Sequence, residues 1–250
     1  QEFVDIHDKD NNTALKGDEI ALLRYHLISP ANAAKLAKQG LNAHTIVGYD
    51  MLGLNEDDID FKNSGKPKAL VLYPTSDESN PAGGKPYYAE DHNDYMGKIF
   101  DEYDTKFRVI SSVAEMYAEV AAVPKIDLLI LGGHGTKTSL TFGRSRPTYG
   151  IILPDSQAKL TTENQDVGSY LSNLSPNASV FLNSCSNGEG REDQENLANH
   201  LAKALPGRKI FSADEDFGGT GITLKSAIPL DLTIKNISGT NENCVYIAET

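Results

Sequence analysis

Only two cysteines, Cys185 and Cys244, occur among the 250 residues, too few for the disulfide framework of a small stapled fold. Their dissimilar surroundings argue against their pairing with each other. Nor does the chain hold an unbroken apolar run of about 18 residues, the length of a membrane-spanning helix, and no charged-then-apolar leader opens it. Neither a membrane partner nor a signal peptide is therefore expected, and the compartment stays open between cytoplasm and exterior. Basic residues are scarce: 23 Lys and Arg face 35 Asp and Glu, for a formal charge of −12. Binding a phosphate backbone needs a basic surface, so no nucleic-acid partner is expected, and the acidity reads as solvation. No Gly-x-Gly-x-x-Gly turn and no phosphate loop with lysine is present, which argues against a nucleotide-binding sheet. Internal repeats are absent as well, and nothing in the chain defines an oligomeric state.

What is present is an alternation of apolar strands and amphipathic helices. Residues 68–73, 107–110, 126–131, 179–183 and 208–213 read as strands, and 87–103, 113–123 and 192–204 as helices. Between them lie a hairpin-like section, 139–142 with 149–153, and an amphipathic stretch at 164–174. From 220 onward the pattern alternates and predicts edge or hairpin strands. This order implies an α/β fold with a mainly parallel sheet and helices on both faces.

Two of the strands end in reactive side chains. Leu128-Leu129-Ile130-Leu131-Gly132-Gly133 runs into His134-Gly135, and Ser179-Val180-Phe181-Leu182-Asn183-Ser184 runs into Cys185-Ser186-Asn187-Gly188. The carboxyl ends of parallel strands are where open α/β folds gather ligands and catalytic groups, so His134 and Cys185 are expected at one edge. A thiol at a strand-to-helix turn is expected to be exposed and close to a positive helix end, which would favour the thiolate. Cys244, in a terminal apolar strand, reads as a buried and inert thiol.

These two segments resemble the caspase-like cysteine peptidases of clan CD. Cys185 lies 51 residues after His134, close to the roughly 50-residue interval of that pattern. The resemblance covers about residues 66–220 and implies a three-layer αβα sandwich, preceded here by a small helical domain. The caspase signature Gln-Ala-Cys-x-Gly is missing, and Ser184-Cys185-Ser186-Asn187-Gly188 is more similar to separase and to clostripain-type bacterial members, so aspartate specificity does not carry over. The resemblance implies a protein or peptide substrate and a Cys185–His134 dyad working through a thioester. It also implies an oxyanion site from the N–H of Cys185 with that of Gly135 or Gly133, and Asn183 as a polar group at the substrate site. An acid after the strand that follows the cysteine helix, Asp214 or Asp216, would receive an arginine or lysine of the substrate; a merely solvated acidic loop is the alternative. Two other readings of the same residues are an isopeptidase or deubiquitinase with the same dyad, and a catalytically silent binding module.

The amino-terminal residues 1–62 read as a separate unit joined by Asn63-Ser64-Gly65-Lys66-Pro67 to a domain of residues 66–250. Asp8 to Glu19 resembles an EF-hand or dockerin loop, which implies Ca2+ held by Asp8, Asp10, Asn12, the main chain of Ala14, and Glu19. The usual central glycine is replaced by Thr13 and no second copy follows. A solvated loop capping the next helix at Asp18 is the competing reading. No cofactor is required by the chemistry itself.

Overall fold

The computed structural model describes residues 60–74, 93–142, 145–146, 151–152 and 155–250. The helical module of residues 1–59 and its Asp8–Glu19 loop lie outside the described residues. In chain order the described elements are β1 (Lys68–Pro74), α1 (Asn93–Glu102), β2 (Asp104–Ile110), α2 (Val113–Ala121), β3 (Ile126–Gly132), β4 (His134–Thr136) and β5 (Ser139–Thr141). They continue with β6 (Ser145–Arg146), β7 (Ile151–Ile152), α3 (Asp155–Ala158), β8 (Lys159–Thr161), α4 (Val167–Tyr170) and β9 (Leu174–Asn183). The last are α5 (Leu197–Ala204), β10 (Lys209–Ala213), β11 (Phe217–Ser226), β12 (Asp231–Asn236) and β13 (Val245–Ala248).

A six-stranded sheet in the order β2-β1-β3-β9-β10-β13 forms the centre, parallel throughout except for β13 against β10. Its inner strands are buried on both faces, which is why they read as continuous apolar runs. Alternate residues point to opposite sides. Leu70, Leu72, Leu129, Leu131, Val180 and Leu182 join a core with Val113, Met116 and Val120 of α2 and Leu197, Ala198 and Leu201 of α5. Val71, Tyr73, Leu128, Ile130 and Phe181 face the other way, onto Tyr95, Met96 and Ile99 of α1. The α/β architecture with a mainly parallel sheet between helical layers is therefore as expected. One layer is mixed: the antiparallel pair β11–β12 adds Ile222, Leu224, Leu232 and Ile234 to the α1 side.

Two local expectations change. Ser139–Thr141 pairs with β4 and β8 in a small antiparallel sheet, not with residues 149–153. Short apolar runs carry no information about which neighbour they pair with. Helix α5 starts only after Asn196, whose side chain accepts the Asn199 N–H at 2.8 Å, because the residues after Cys185 form a glycine-containing loop first. The chain entering β1 is also held to the start of β2. The buried Asp104 carboxylate accepts the main-chain N–H of Lys62 at 2.7 Å and of Ser64 at 3.2 Å.

Candidate functional site

Register, rather than sequence proximity, brings the two reactive residues together. Strands β3 and β9 are adjacent and parallel, with Gly132 opposite Asn183. His134 and Cys185 each follow that paired position by two residues, so they leave neighbouring strands at the same level, where strand spacing is about 4.8 Å. Beyond that level the main chains stay close. Gly133 N–H donates to the Asn183 carbonyl at 3.3 Å. A Cβ on Gly135 would lie 2.3 Å from the Cys185 carbonyl oxygen and 2.8 Å from Ser184 Oγ. Only glycine permits that approach. Gly133 has the same kind of necessity, with φ of +152° and room for no Cβ beside the Thr141 carbonyl, 2.3 Å away. His134 and Cys185 are both half-buried.

The Cys185 thiol donates to the Phe217 carbonyl at 3.5 Å and packs beside the α1-side core. Burial pushes its pKa up, and the Asp216 charge adds to the rise. The expectation of a thiolate favoured by exposure and a helix end is thus corrected: the thiol is half-covered, and helix α5 begins well beyond the loop. Alkylation of Cys185 by iodoacetamide should therefore increase with pH through a midpoint above the ordinary cysteine value of about 8.5. A rate profile with its midpoint below that value would mean that a nearby cation stabilises the thiolate instead. Cys244 should resist the same reagent until the protein unfolds. Its side chain is fully buried, its thiol donates to the Ile234 carbonyl at 3.2 Å, and burial raises its pKa to about 11.

The acidic loop after β10 lies directly against the cysteine loop. Ser186, with φ of +57°, donates its N–H to the Glu215 carbonyl at 3.3 Å and its hydroxyl to Asp216 Oδ1 at 2.6 Å. Gly188 N–H donates to the Ala213 carbonyl at 2.8 Å. Asp214 receives Arg191 Nε at 2.6 Å, so its charge is already met by an arginine of the same chain. Asp216 is exposed. Glu215 accepts the side-chain amides of Asn236 and Asn241, and these bonds hold its pKa down.

Asn183 is buried within the sheet, at the end of β9. Its side chain is 1% exposed, and Nδ2 donates to the hydroxyls of Tyr73 at 2.5 Å and Tyr95 at 2.7 Å. The two tyrosines also bond each other at 2.5 Å. A buried amide so engaged supports the strand end beneath Cys185. Tyr73 and Tyr95 were invisible as site residues in the sequence. They lie 110 and 88 positions from Asn183, and an apolar strand ending in Tyr looks like any other core strand. Gly133 likewise has its N–H committed to the Asn183 carbonyl. Among the described residues no group of three or more His, Cys, Asp or Glu side chains is placed to hold a metal ion. No helix among them is long and apolar enough to cross a membrane.

The fold thus defines an α/β protein with a histidine and a cysteine at the carboxyl ends of adjacent parallel strands. No protein-family model matches the sequence, and no curated protein matches it. Among solved structures, the chain is similar to the Arg-specific cysteine proteinase gingipain R. The TM-score is 0.37 at 15% identity, over 68% of this chain and 37% of the gingipain chain. The chain accordingly spans well under two thirds of that protein's length.

Proposed function

We propose that the chain is a caspase-like cysteine peptidase, with Cys185 as nucleophile and His134 as the acid–base group. The single observation that carries this reading is the register of β3 against β9, with the close approach of Gly135 to the Cys185 main chain. A histidine and a cysteine delivered to one edge by adjacent strands form the minimal constellation for acyl transfer. Sγ attacks the scissile carbonyl and forms the S–C bond, while the thiol proton passes by way of His134 to the leaving amine as the C–N bond breaks. Water then adds to the thioester with His134 as base, the S–C bond breaks, and Cys185 recovers its proton. The N–H groups of Gly135 and Cys185 are the proposed donors to the developing oxyanion.

A protein or peptide substrate follows from this chemistry, and a preference for arginine or lysine before the scissile bond is part of the proposal. Asp216 is the acid best available for a charge-assisted bond to such a side chain, because Asp214 already holds Arg191. For the amino-terminal unit, residues 1–62, calcium at the Asp8–Glu19 loop is proposed on its ligand pattern alone.

The test is to incubate wild type and Cys185→Ala with a diverse peptide library, with calcium and with chelator, and to read the products by mass spectrometry. Cuts after Arg or Lys that vanish in Cys185→Ala are expected. Cuts after other residues would remove the basic pocket, and loss of cleavage with chelator would support the calcium loop. An absence of cleavage by wild type under all conditions would sink the peptide-hydrolase reading in favour of an isopeptidase acting on folded substrates or a silent module.

A further inference from the structure

Asn187 lies outside the proposed dyad, yet its side chain ties the cysteine loop to the hairpin that begins with His134. It is fully buried and polar, two residues after Cys185. Its Oδ1 accepts the hydroxyl of Ser184, also fully buried. Its Nδ2 donates to the main-chain carbonyls of Thr136 at 2.5 Å and Ser139 at 2.8 Å. Those carbonyls flank the turn between β4, the strand that begins with His134, and β5. The Asn187 carbonyl accepts Ala198 N–H at 3.1 Å, and Leu197 N–H donates to the Lys137 carbonyl at 2.9 Å, so the first turn of α5 braces both partners. An asparagine amide has two donors and one acceptor oxygen. All three functions are used here, and they join the end of the cysteine strand to the histidine hairpin.

From this arrangement we infer that Asn187 is a positioning residue that sets the separation of His134 from Cys185. The inference rests on the proposed dyad for its catalytic meaning, but the geometry it asserts does not. The β4–β5 hairpin is not part of the central sheet. Its placement over the cysteine loop depends on contacts made past the end of β3, and the Asn187 amide supplies two of them from one rigid group. Losing these donors lets the hairpin drift while the thiol keeps its contact with Phe217 and the cysteine loop keeps the main-chain bonds of Ser186 and Gly188 to Glu215 and Ala213. His134 would then be misplaced and Cys185 would not.

Asn187→Asp is the sharpest probe, because it keeps size and the acceptor for Ser184 while removing the amide donors. Asn187→Ser, which introduces no buried charge, takes its place should the first variant not fold. The primary readout needs no activity. Carboxymethylation of Cys185 adds a methylene at the sulfur, and its nuclear Overhauser cross-peak to the His134 ring protons, followed by NMR, reports how near the two groups are. In wild type the cross-peak is expected. In the variant it should weaken or vanish. Equal intensity in both proteins overturns the inference.

Turnover supplies the second readout. In the proposed mechanism His134 serves both acylation and deacylation, so a peptide amide and an aryl ester both depend on it. The variant should lose about 100-fold in kcat for the amide, the usual effect of a misplacement near 1 Å, with KM changed by less than about threefold. An unchanged kcat, or a loss confined to KM, would mean that Asn187 supports the loop without positioning His134. If wild type turns over neither substrate, the peptidase reading fails, and the carboxymethyl cross-peak still decides the role of Asn187.

Discussion

Gly135→Ala is expected to abolish most of the reactivity of the site while leaving a folded protein. The added methyl would sit 2.3 Å from the Cys185 carbonyl oxygen and 2.8 Å from Ser184 Oγ, and neither neighbour can yield easily. One belongs to the backbone of the proposed nucleophile. The other is fully buried and bonded to Asn187. Real Cβ contacts are not made below 3.0 Å, so the hairpin and the cysteine loop must separate by most of an ångström. Overpacking of this kind costs about 1–3 kcal/mol of stability, and a shift of that size between reacting groups costs about 100-fold in rate. Peptide turnover and thermal melting of the same preparation test this. Gly97→Ala is the matched control: its Cβ meets nothing within 4 Å, and it lies in helix α1, where alanine should stabilise by about 0.5–1 kcal/mol. Wild-type turnover in Gly135→Ala would show that the two main chains are not held together in solution.

Phe181→Ala should carry the largest loss of stability, about 3–5 kcal/mol, because it empties the middle of the sheet. Phe181 is 1% exposed and sits on β9 between Ile130 of β3 and Phe211 of β10. Its ring meets Tyr95 edge-on with centroids 6.2 Å apart. The effect should extend to the site, since Tyr95 is one of the hydroxyls holding the Asn183 amide under Cys185. Urea denaturation should show a lower midpoint with an unchanged slope, and the melting temperature should fall by about 10 °C for a domain of this size. A loss under about 1 kcal/mol would mean that the neighbouring side chains collapse into the space, and that the two core faces are less closely packed than they stand in the structure.

Much of the sheet could be read directly from the sequence because its strands are covered on both faces. Residues 69–73, 128–131 and 180–182 are apolar without interruption, and such runs between amphipathic helices leave few alternatives to a parallel sheet. The start of α5 was less legible. Its apolar face extends through Ala198 and Leu201, but the cap at Asn196 depends on a loop that folds back on itself through Arg191 and Asn199. The pairing of β5 was illegible for the same reason that hairpin registers usually are: three residues of strand fit several neighbours, and only the three-dimensional competition among them selects one.

The position of the site followed the same division. Local pattern alone determined that His134 and Cys185 each end a buried strand, because hydrophobic periodicity is a property of consecutive residues. Tertiary structure alone decided that these strands are neighbours, in a register that sets Gly132 opposite Asn183. It also decided what surrounds the two groups. Burial pushes the Cys185 pKa up, Arg191 takes Asp214, the buried tyrosines take Asn183, and Asn187 ties one loop to the other. None of these contacts has a sequence signature. Each joins residues far apart in the chain, and hydrogen-bond partners and solvent access exist only once the chain has closed around them.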